Sequence, residues 1–235
     1  MALGSRLHDR RRRWSLPPAA FLFGLLTVVP VRPAASAPPA WPDDRFHRVA
    51  ADALLQELRA ALLSEPSATL TLEHWCATHG IAADARIVAI QDPDAAAPLP
   101  TDGRALLEVG ADETVRVRHV RLSCGGVVLS EADNWYVPSR LTPEMNRVLE
   151  TTHTPFGKAV AALGFSRSTL SSRLLWSPLP PDWTRRPAGP DAGTLAIPET
   201  VLDNRGLLRD RGNRPLALVE ERYKSGILAF PPPAP

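Results

Sequence analysis

Apolar residues recur at three- and four-residue steps through Phe46, Val49, Ala50, Ala53, Leu54, Leu58, Ala61 and Leu62, which predicts an amphipathic helix ending near Ser64. TLEHWCATHG, residues 71–80, predicts a second, shorter helix with Thr71 at its N-cap and Gly80 just past its end. The period then drops to two. ARIVAI (85–90) is the first strand candidate, and TVRVRHVRLSCGGVVLSEADNWYVP (114–138) reads as two β-rich runs around Gly125-Gly126, a hairpin signal. Its apolar phase is carried by Val115 and Val117 before Arg118, and by Val120, Leu122 and Cys124 after it. If the second phase marks the core, Arg116 and Arg118 share the inward face. A β-bulge that reverses the phase is the alternative.

Thr142-Pro143 and Thr154-Pro155 each read as a capping residue followed by a first-turn proline, so two helices are expected after the hairpin, the second closed by Gly164. Residues 169–179 form another strand candidate and 180–193 a loop rich in proline and glycine. The chain finishes with strand-like LLRD, a turn at RGNRP and the strand RPLALVEERY, then a proline tail over 231–235. On that strand Leu216, Leu218 and Glu220 point one way, and Ala217, Val219, Glu221 and Tyr223 the other. One acid is therefore in line with leucines; a frayed strand end whose acids reach water reads equally well. Strands joined mainly by hairpins imply an α+β fold, a mostly antiparallel β-sheet flanked by helices in a single domain over residues 46–230.

Composition enters at the N-terminus. Basic residues 10–13, the apolar run AAFLFGLLTVV (19–29) and the small residues AASA ending at Ala37 read as a signal peptide over 1–37, followed by a proline-rich linker over 38–45. Eleven apolar residues are too few to span a bilayer, so export to the periplasm with cleavage is expected; a retained anchor would be the chain's one membrane contact. Of 235 residues, 44% are hydrophobic and 22% charged, the balance of a globular protein. The first 37 residues hold six of the 27 basic side chains and one of the 25 acidic ones, so the remainder is formally −3. That removes the electrostatic support for a nucleic-acid partner. Cys76 and Cys124 can form one disulfide or remain two buried thiols; their spacing does not decide.

No dinucleotide, phosphate-loop, nucleophile-elbow or zinc-protease motif occurs, and GFSRS (164–168) is not a nucleophile elbow. His74 and His79, five apart, suit packing better than a shared metal. Asp43 and Asp44 fit a helix start, and Trp135 and Tyr136 fit core packing. What remains is Arg118 on an inward face, the helix start at residues 154–157, and Glu220 among leucines. An arginine beside free amides suits a carboxylate or phosphate, and a buried glutamate suits proton exchange. A buried Arg–Glu pair that closes the sheet without any ligand is the plainer alternative.

At these residues the chain resembles the chorismate lyase family, on RHVRLSCGG with ADNWYVP, on TPFGKAV, and on RGNRPLALVEE, in that order, from about Leu106 to Leu228. The resemblance implies a domain shared with the ligand-binding domains of some GntR-type regulators. It implies Arg118 as the carboxylate-binding arginine, Phe156, bulkier than the family's leucine, as the apolar residue whose backbone helps hold that carboxylate, and Glu220 as the catalytic acid near the substrate hydroxyl. The expected activity is conversion of chorismate to 4-hydroxybenzoate and pyruvate by a monomer without metal or cofactor. The alternative is a non-catalytic module that binds a small aromatic carboxylate.

Overall fold

A computed structural model describes residues 1, 39–185 and 193–235. The signal segment expected over 1–37 and part of the loop 180–193 lie outside the described residues, Met1 apart. Helix α1 spans Arg45–Ser64 and is capped by Asp44, whose carboxylate accepts the His47 N–H at 2.8 Å. Helix α2 spans Ala68–Thr78. Its cap is Ser67, four residues ahead of the Thr71 expected from the sequence. Thr71 is buried inside the helix, where its hydroxyl donates back to the Ser67 carbonyl at 3.2 Å. A threonine can satisfy its hydroxyl that way in mid-helix, so its presence alone does not locate a helix start.

Six strands follow: β1 Ile87–Gln91, β2 Arg116–Cys124, β3 Val127–Tyr136, β4 Ser166–Leu174, β5 Thr200–Arg209 and β6 Pro215–Lys224. They form one sheet in the order β1-β2-β3-β6-β5-β4, every neighbouring pair antiparallel. The α+β architecture expected from the sequence is the one observed. The β2–β3 hairpin turns at Gly125 and Gly126, both at positive φ, and its register slips between Leu122 and Ser123. The slip lies beyond Arg118, which therefore keeps phase with Val120 and Leu122.

Short helices α3 (Gly103–Leu106), α4 (Pro143–Thr151) and α5 (Phe156–Ala159) complete the domain. Thr142 caps α4 as expected, accepting the Met145 N–H. α5 is a single turn with Pro155 at its N-cap and no side-chain cap; the Thr154 hydroxyl instead lies 2.8 Å from that of Thr152.

One face of the sheet carries the helices. Leu55, Leu58, Leu72 and Trp75 of α1 and α2 close over Val120, Leu122, Leu202 and Tyr223. Met145, Leu149 and Phe156 of α4 and α5 close over Tyr136, Ala217 and Val219. The opposite face is covered by the β1–β2 connection, with Leu99, Leu106 and Leu107 against Trp135, Leu207 and Leu218. A Cys76–Cys124 disulfide joins α2 to the end of β2. His79 is a packing residue, stacked on Phe230 with ring centroids 4.3 Å apart.

Candidate functional site

On the helical face the central strands set polar side chains among apolar ones. Cross-strand register places Arg118 opposite Asn134, and Asn134 in turn opposite Val219. One residue row further, Val120, Ala132 and Glu221 align. Val120, Ala132, Asn134, Val219 and Glu221 form the sheet side of a cavity of about 40 Å³, with Phe156 and Phe165 among the residues on its other walls. That volume holds a water molecule or two and is far below the size of a drug-like ligand pocket.

Arg118 is only 5% exposed. Its Nη2 donates to the Thr152 carbonyl at 3.2 Å, while Nε and Nη1 have no partner. The Thr152 carbonyl lies at the C-terminal end of α4, where the helix dipole offers partial negative charge. No carboxylate among the described residues pairs with this guanidinium. Burial lowers its pKa to about 10, so at neutral pH it is a buried cation with unmet hydrogen bonds, an expensive arrangement. Arg118 shares its strand face with Val120 and sits across from Asn134, so it adjoins the cavity at that end.

Glu221 closes the other end. It is 6% exposed and gripped by Arg167 of β4 through two bonds of 2.5 and 3.1 Å, and the Tyr223 hydroxyl donates to it at 2.9 Å. Arg167 reaches β6 by lying across β5 at Gly206, where a Cβ would come within 2.8 Å of its Nε. Glycine is therefore what allows the pair to form. Burial alone would lower the Arg167 pKa, but Glu221 and Tyr223 reverse that and raise it. Burial, then the Glu221 charge, push the Tyr223 hydroxyl well up, leaving it a donor.

Of the residues singled out from the sequence, Phe156 lines the cavity, while Arg118 lies beside it on the strand face that carries Val120. Phe156 is buried, lines the cavity and packs against Tyr136 at 5.8 Å between ring centroids. Glu220 does not join them. It follows Leu218 in phase, and Leu218 faces the β1–β2 connection, whereas Leu216, beside the register shift at the start of β6, packs with Ala217 and Val219 under α4 and α5; Glu220 therefore lies on the face away from the cavity, its side chain 35% exposed and 3.1 Å from Arg205. Both faces of β6 are apolar because both are covered, and the leucines therefore do not mark the cavity side. Glu221, Arg167 and Asn134 went unrecognised. Glu221 alternates in phase with Val219 and Tyr223, which is the one signal that pointed to it; nothing local distinguishes Arg167.

The fold and this cavity define a small α+β domain with a buried, part-unpaired guanidinium beside a small cavity walled by Phe156 and Phe165. No family model matches the chain. It belongs to the same family as the uncharacterized protein y4mC of Sinorhizobium fredii, to which it is 44% identical over 216 residues, 89% of this chain and 91% of that protein. Among solved structures it is similar in overall fold to PhnF from Mycobacterium smegmatis (TM-score 0.44, 13% identity, 72% of this chain and 68% of that one). It is also similar to the ligand-binding domain of a putative GntR-family transcriptional regulator from Bordetella bronchiseptica (TM-score 0.38, 20% identity, 61% and 88%). A third is the possible transcriptional regulator YydK from Bacillus subtilis (TM-score 0.38, 15% identity, 63% of this chain), of whose length this chain spans 62%.

Proposed function

We propose that this protein is an exported, non-catalytic binding domain for a small aromatic carboxylate, anchored by Arg118. The observation that carries this reading is the 95% burial of a guanidinium with two nitrogens lacking partners, a cost that a ligand carboxylate would offset through charge-assisted bonds. Phe156 and Phe165 line the adjoining cavity with apolar rings, and the reading requires these walls to move apart, since about 40 Å³ does not hold an aromatic ring. Lyase chemistry is disfavoured because Glu221, the one carboxylate lining the cavity among the described residues, is already bonded to Arg167 and Tyr223, and Glu220 faces away. The reading requires no metal or cofactor. The Cys76–Cys124 bond supports an oxidising compartment, in keeping with a signal over residues 1–37.

Calorimetric titration of the purified protein with 4-hydroxybenzoate, alongside incubation with chorismate and a pyruvate assay, tests the proposal. Saturable one-to-one binding of 4-hydroxybenzoate without pyruvate release is expected. Catalytic release of pyruvate would make the protein a lyase, and no binding would remove the carboxylate-site reading.

A further inference from the structure

Helix α1 is apolar on two opposite sides. His47, Ala51, Leu55, Leu58 and Leu62 are buried on its inner side. Half a turn around the helix, Phe46, Val49, Ala53, Gln56, Ala60 and Leu63 are all exposed, the large ones Phe46, Val49 and Leu63 by 41%, 38% and 45%. The outward side of a helix on a lone domain is ordinarily its polar side. Here five of the six residues are apolar, and they step alternately by three and four residues, the spacing of a seam along which one helix packs lengthwise on another. We propose that α1 pairs antiparallel with α1 of a second copy of this chain, making the protein a two-fold symmetric dimer rather than the monomer that the chorismate lyase resemblance implies.

A second copy fits because the stripe is complementary to itself. Antiparallel pairing about an axis between Leu54 and Leu55 sets Phe46 against the partner's Leu63, Val49 against the partner's Ala60 and Ala53 against the partner's Gln56. Large side chains close the two ends, and the alanines nearer the middle let the helix axes approach to about 8 Å. Beside the seam, Asp52 then meets the partner's Arg59, and Arg59 the partner's Asp52. Asp52 has no partner of its own among the described residues. Arg59 spends Nε and Nη2 on the hydroxyl and carbonyl of Ser172 of β4 and meets no carboxylate there. A parallel pair would instead set Asp52 against the partner's Glu57. An antiparallel pair slid by one heptad would set Asp52 against the partner's Asp52, or Arg59 against the partner's Arg59. The charges therefore select one orientation and one register. With 20 residues α1 is about 30 Å long, so the seam falls at the small end of stable interfaces, and a Kd on the order of 10 µM is expected.

Sedimentation velocity of the purified protein from about 1 µM to about 500 µM spans that Kd and should show a monomer giving way to a species of twice its mass. Ala53→Glu, in the middle of the seam and exposed in the single chain, should weaken association at least about 100-fold and leave the melting temperature of the dilute protein unchanged. Asp52→Arg should weaken it about tenfold. An equal mixture of Asp52→Arg and Arg59→Asp chains should associate more tightly than either alone, because both flanking pairs regain opposite charges. Both native cysteines are in the disulfide, so a variant carrying Val49→Cys and Ala60→Cys can be oxidised and its cross-links mapped; position 49 of one chain should join position 60 of the other. A protein still monomeric at about 500 µM would overturn the proposal. So would a dimer that tolerates both Ala53→Glu and Asp52→Arg, or cross-links that join 49 to 49 and 60 to 60. If Ala53→Glu fails to fold, the charge-swapped mixture and the cross-links return the same two answers. A chain that stays monomeric while binding a helix of another protein would assign the stripe to that partner and overturn the second-copy reading.

Discussion

Two buried charges, one on each face of the sheet, are treated in opposite ways. Under the β1–β2 connection, Asp133 is fully buried and answered on every side: His119 Nδ1 at 2.8 Å, Arg222 Nη2 at 2.8 Å and the Ala97 N–H at 3.2 Å. Arg205 on the same face bridges Asp102 and Glu220. Under the helices, Arg118 is almost as deeply buried and has one backbone carbonyl for company. Satisfied networks hold a fold together, whereas an unsatisfied buried cation lowers stability unless something else occupies its donors. Asp133 is cemented, as is Glu221 beside Arg167 and Tyr223 on the other face, whereas Arg118 keeps donors for a guest.

That contrast is sharpest at Asp133, where the largest effect is expected. Asp133→Asn removes the charge that holds both His119 and Arg222 and should destabilise the protein by about 3–5 kcal/mol in urea unfolding, without altering ligand affinity in whatever fraction remains folded. Burial alone would raise the Asp133 pKa, but the bonds from Arg222, His119 and the Ala97 N–H outweigh it and hold the value below the usual 3.8. A depressed carboxyl contributes stability above its unfolded pKa and loses it as pH falls through the folded value. Acid unfolding should accordingly steepen below about pH 4 in wild type, and Asp133→Asn should show a flatter acid limb.

A smaller effect is expected at Glu220. Its ion pair with Arg205 is part-exposed, so Glu220→Gln should cost no more than about 1 kcal/mol and leave 4-hydroxybenzoate affinity within about twofold of wild type. A large loss of affinity there would erase the distinction between the two faces.

Much of this arrangement was legible in the sequence. The 3.6-residue period gave α1, the glycine pair gave the β2–β3 hairpin, and Thr142-Pro143 gave the start of α4, because each depends on a few adjacent residues. The inward aim of Arg118 was also legible from its phase with Val120 and Leu122, once the bulge was known to fall after Leu122. Glu220 was legible only in part: its phase with Leu218 was right, but which face of β6 meets the helices depends on what covers each side of the sheet. Arg167 could not be read at all, since its partner Glu221 is 54 residues away and the crossing relies on Gly206 of the strand between them. Thr154-Pro155 promised a full helix, yet the chain turns only once before Val160.

The most direct test of the central claim replaces Arg118 by methionine, which removes the charge while filling much of the space. Melting curves of Arg118→Met and wild type would be compared with and without 4-hydroxybenzoate. The account predicts that the unliganded variant lies within about 1 kcal/mol of wild type or above it, and that the ligand-induced rise in melting temperature seen in wild type is gone. A variant destabilised by about 3 kcal/mol or more that still gains stability from the ligand would show that Arg118 belongs to the framework, as Asp133 does.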